Sequence, residues 1–102
     1  MSKRSRSALQ LAESAVRTLA TGEHGIRERL AAAYEQELQH IPISEVPGEI
    51  AHMLSSIYAR CGHGQPLQAV RAVLDRMEPS AAMRLARDIF EFHCVLSQAL
   101  YH

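Results

Sequence analysis

The chain has 102 residues, 47% of them apolar and 22% charged, with a formal net charge of zero at neutral pH. That length gives one domain able to bury a core of its own, and the composition excludes a chain disordered throughout. The charge is unevenly placed: Lys3, Arg4 and Arg6 stand in the first six residues, leaving eight basic against eleven acidic side chains from Ala8 onward, a balance that excludes a broad phosphate-binding face.

Residues 1–6, MSKRSR, carry no periodicity and are expected to be a mobile basic tail ahead of one domain spanning 7–102. Ser7 with Gln10 fits a capping box at the start of the first helix, whose apolar face is Leu9, Ala12, Val16, Leu19 and Ala20. Thr21-Gly22 ends it, glycine suiting the left-handed residue after a last turn. A second helix is predicted from about Ile26 to Gln39, with Ile26, Leu30, Ala33, Tyr34 and Leu38 on one face. Pro42 forbids its continuation and biases Ile41 away from helix.

His40 to Pro47 reads as a loop, with Ser44 or Val46 capping a third helix and Pro47 early in its first turn. Ile50, Met53, Leu54, Ile57, Tyr58 and Cys61 form the cleanest apolar stripe in the chain, broken by Gly62 and Gly64. Pro66 opens a fourth helix facing the core with Leu67, Val70, Val73, Leu74 and Met77. Glu78-Pro79 opens the fifth and longest, where Ala82, Leu85, Ala86, Ile89, His93, Leu96 and Leu100 make one apolar line. Met83, Phe90, Cys94 and Tyr101 flank that line on one side, Phe92 and Ala99 on the other. Helix five is thus apolar over more than half its circumference and should be covered from two sides. No segment alternates with period two. The expected fold is all-α: a compact bundle of four to five short-to-moderate helices around a long, largely buried C-terminal helix. Helices three and four are expected on its two flanks, with helix one closing the bundle or docking on a second copy.

Cys61-Gly62-His63 and His93-Cys94 bring thiolate and imidazole, the ligands zinc prefers, into one small chain. Their spacing fits no finger, and adjacent side chains on a helix point about 100° apart, so Cys61, His63, His93 and Cys94 are metal or redox candidates set against a packing role for both cysteines. Glu37-x-x-His40 and Glu49-x-x-His52 repeat the ligand string of di-iron bundles, but at helix ends rather than mid-helix. His93, inside the apolar line, needs a hydrogen-bond partner, for which the hydroxyl of Tyr34 or Tyr58 is the natural source. No nucleophile motif, phosphate loop or other cofactor signature occurs, so no catalytic residue, cofactor or catalysis is expected.

A helix–turn–helix from helices four and five would present Arg84 and Arg87, but Asp88 and Glu91 offset them, and DNA binding stands as a secondary reading. The primary expectation is a protein–protein interaction or regulatory module, its partner another protein or itself, with Leu11, Val95 and Tyr101 as apolar residues off the main faces. A homodimer and a monomer that buries everything stand level. Two cysteines, no leader-like segment and no apolar run of the ~18 residues a membrane span needs make the expected setting cytoplasmic, away from membranes.

Overall fold

The computed structural model describes residues 3–100. Five α-helices follow one another: α1 over Lys3–Thr21, α2 over Ile26–Gln36, α3 over Gly48–Cys61, α4 over Leu67–Asp75 and α5 over Pro79–Leu100. Two 3-10 turns, Leu38–His40 and Ile43–Glu45, lie between α2 and α3, and no strand occurs among the described residues. The fold is the expected all-α bundle.

Proline places three of the boundaries. Pro79 is the first residue of α5, where its missing N–H is no loss. Pro47 and Pro66 each stand one residue before a helix, with extended ψ of 144° and 149°. Pro42 acts backwards. It would clash with the carbonyl of residue 38 in a continuous helix, and α2 gives way after Gln36 to the tighter 3-10 turn. The second helix is therefore three residues shorter than its apolar pattern predicts. The first helix starts at Lys3, four residues ahead of Ser7.

The core is built on α5, as expected, but with different neighbours. Ala82, Leu85, Ile89, Phe92 and Leu96 are buried, and the helix packs chiefly against α1, α3 and α2. α4 lies against α2 instead of the flank of α5. With nine residues it is only about 14 Å long. The flank it was expected to fill belongs to α1, which buries Ala8, Leu9, Ala12, Ala15 and Leu19 and so completes the bundle within one chain. Small residues dominate that face, and alanines let two helix backbones approach closely. The connecting segment contributes too: Leu38, Ile41 and Val46 are all buried, though the sequence around Ile41 and Val46 reads as loop.

Candidate functional site

The chemistry-bearing side chains gather where α3 ends. Gly62 takes φ 76°, ψ 33°, the left-handed conformation that favours glycine. Its N–H bonds the Ala59 carbonyl at 3.3 Å, and the His63 N–H bonds the Tyr58 carbonyl at 3.0 Å. This pair of bonds is the Schellman closure, which folds the second residue past the helix back over the last turn. The imidazole of His63 accordingly lies flat on the Tyr58 ring, centroids 3.7 Å apart and planes 10° apart. The Tyr34 hydroxyl, from α2, meets His63 Nδ1 at 2.7 Å. With the imidazole proton on Nε2, Tyr34 donates and Nδ1 accepts.

Tyr58 is fixed from its other end. Its single hydroxyl hydrogen is shared between the Ile41 carbonyl, at 2.7 Å, and the Leu38 carbonyl. The Leu38 carbonyl is the one whose helical donor would be the N–H of residue 42, which proline lacks. The Leu38 carbonyl also accepts the Ile41 N–H at 3.1 Å, so the phenol adds to that turn and ties the α2–α3 connection to α3. Cys61, one turn after Tyr58, is 1% exposed and closes the cluster from inside.

The electrostatics of this group oppose reactivity. Burial raises the Tyr58 phenol well above its usual range, and the neighbouring Tyr34 adds to the rise. Burial pushes the Cys61 thiol up to about 11, against the pull of Arg60. Tyr34 is raised by burial and then by Cys61, while burial lowers His63. All four are held in their neutral forms near neutral pH. A nucleophile needs the opposite, a thiolate or phenolate stabilised by a positive neighbour. The cluster is a neutral clamp joining α2, the α2–α3 connection and the α3–α4 turn.

The expected metal candidates do not assemble. Among the described residues no three His, Cys, Asp or Glu side chains come together in a group able to hold a metal ion. Cys61, His63, His93 and Cys94 are therefore not one ligand set: the first two belong to the clamp and the last two to mid-α5, and both thiols are free. The two E-x-x-H strings also stay apart from any such group. Glu37 is buried at the end of α2, where it accepts a 2.8 Å hydrogen bond from the Thr18 hydroxyl. Glu49, His52 and His40 are exposed.

The tyrosine expected for His93 belongs to His63 instead. Both ring nitrogens of His93 are buried with no hydrogen-bond partner, and Tyr34 and Tyr58 are engaged elsewhere. The spacing of α5 put His93 on the apolar line but held no information on which histidine a distant tyrosine would meet.

The surface candidates separate similarly. Leu11 is half-buried against the core and lines a hollow of about 420 Å³ with His40, Pro42 and Ser44. Val95 is 37% exposed, and Tyr101 lies outside the described residues. The largest apolar exposure is elsewhere on α5, at Met83 and Phe90, 65% and 53% exposed. Two helical turns separate them, about 10.5 Å along one face, with Cys94 continuing the line half-buried. Below Met83 a shallow hollow of about 360 Å³ is lined by Ser80, Met83, Arg84 and Arg87. The sequence showed this line as a flank of the apolar arc and assigned it to the core. No described helix is long and apolar enough to cross a membrane. No protein-family model matches the chain, and neither characterised proteins nor solved structures give a significant match.

Proposed function

We propose that this protein is a small, non-catalytic interaction or regulatory module working in the cytoplasm, and that it binds another protein through the outer band of α5. The observation that carries the reading is the exposure of Met83 and Phe90 on the helix that otherwise forms the centre of the core. Large apolar side chains aligned on one exposed face mark contact surfaces more often than isolated ones do. Methionine and an aromatic ring are also types enriched in the buried centres of interfaces. The neutral clamp supports the non-catalytic half of the proposal, because its thiol and phenols are held protonated and away from their nucleophilic forms.

The test is affinity purification of the tagged chain from its native cell, with wild type and Phe90→Glu side by side. A protein recovered in stoichiometric amount with wild type, whether a different chain or an untagged copy, should be lost with the variant. Equal recovery with both would overturn the assignment of this face. Circular dichroism of Phe90→Glu establishes that the comparison is between folded proteins.

A further inference from the structure

We propose that the occupant of the α5 band is a second copy of this chain, with the two α5 helices packed antiparallel about a two-fold axis. This rests on the interaction reading above and names the partner.

The charges at the edge of the band choose the occupant. Arg84, Arg87 and Glu91 are exposed beside Met83 and Phe90, and none of the three forms an ion pair or hydrogen bond among the described residues. In a parallel pair Arg84 and Arg87 would face the opposite flank of the second α5, where Ala86, His93 and Ser97 offer no acidic partner. In an antiparallel pair whose axis passes Ile89, Arg87 lies opposite Glu91 of the second copy. The same operator sets the first Glu91 opposite the second Arg87, giving two ion pairs from one self-complementary surface. A helix from an unrelated protein would need acidic groups for the arginines and would leave Glu91 without a role.

The register that pairs these charges also fits the apolar residues. It brings Met83 within one residue of Cys94 of the second copy, and the two Phe90 rings alongside each other near the axis. Offset or edge-to-face rings are a favourable arrangement at such a contact. Residue 89 is also the middle of α5, which runs from Pro79 to Leu100. The charge-paired register therefore overlaps the two helices along 21 of their 22 residues, about 32 Å.

The experiment uses the full chain and reads association by sedimentation over a wide concentration range. Wild type should dimerise and dissociate on dilution. Phe90→Glu should be monomeric. Arg87→Glu, which creates two like-charge contacts, should weaken the dimer about tenfold, and the double variant Arg87→Glu with Glu91→Arg should recover it. Under mild oxidation Met83→Cys should form an interchain disulfide with the native Cys94, while wild type should not. Wild-type chains linked through Cys94 alone would mean a parallel pair and overturn the geometry. Monomeric wild type at every concentration would overturn self-pairing. If a Phe90-dependent protein is then still recovered from the native cell, the interaction reading stands with another occupant; if none is recovered, both fall. Should Phe90→Glu fail to fold, the charge exchange, on exposed positions, and the disulfide, between exposed position 83 and the half-buried Cys94, decide the matter.

Discussion

His63 shows how one side chain takes its properties from three separate parts of the chain. The Gly62 turn places it, the Tyr58 ring supports its face and the Tyr34 hydroxyl holds Nδ1. Burial lowers its pKa below the usual value near 6.5, so the unfolded chain takes up a proton before the folded one does. The contribution of His63 is therefore fully present above about pH 6.5 and is lost as pH falls through the lower, folded-state value. In urea unfolding between pH 8 and 5, wild type should lose more stability on acidification than His63→Gln, because the variant lacks this proton uptake. Identical pH profiles would mean that the imidazole is not held as described. Cys61 belongs to the same scale: 1% exposed and with its thiol near 11, it is a packing residue that happens to carry sulfur.

At the scale of elements, the ends of helices do more than their middles. α3 owes its stop to Gly62, and the position is demanding in backbone angle but open in space. A Cβ added there would meet its nearest atom, Val73 Cγ2, at 3.7 Å, an ordinary contact. Gly62→Ala should therefore destabilise by about 1–2 kcal/mol through conformation alone. It should also loosen the stacking of His63, visible as a change in the tyrosine near-ultraviolet dichroism. A loss below a few tenths of a kcal/mol would show that the turn tolerates a side chain and that the closure does not hold His63. The surface ion pairs act on a smaller scale. Arg60–Asp88, 2.8 Å long and about a third exposed at each side chain, links α3 to α5, and Arg71–Glu35 links α4 to α2; exposed pairs of this kind contribute about 0–1 kcal/mol each.

For the molecule as a whole, α5 packs against α1, α2 and α3 and forms the centre of the core. Phe92 is fully buried at its centre and is among the largest of the fully buried side chains. Phe92→Ala should cost about 3–5 kcal/mol, a large fraction of the roughly 5–15 kcal/mol that holds a domain of this kind together. Chemical denaturation would register it as a lowered midpoint; a shift worth under 1 kcal/mol would contradict the packing described for α5. The radius of gyration, 12.8 Å, is about that of a compact domain of 100 residues. One chain thus closes its own core, and the band at Met83 and Phe90 is surplus to folding.

Residue type and spacing by themselves determined the helical class, the proline and glycine boundaries and α5 as the central helix, because these depend on periods and local backbone preferences that act within a few residues. They also singled out Cys61, His63, His93 and Cys94 as the residues with chemistry to account for, with Tyr34 or Tyr58 as a partner for His93. The tertiary structure alone decided that Tyr34 meets His63 and not His93, since a hydrogen bond between residues 29 positions apart leaves no local trace. It likewise decided that α1, not α4, covers the second flank of α5. Helix periodicity records which face is apolar, but the length and approach of the neighbours determine how much of that face is covered. For that reason Met83 and Phe90 read as core in the sequence and stand at the surface in the fold.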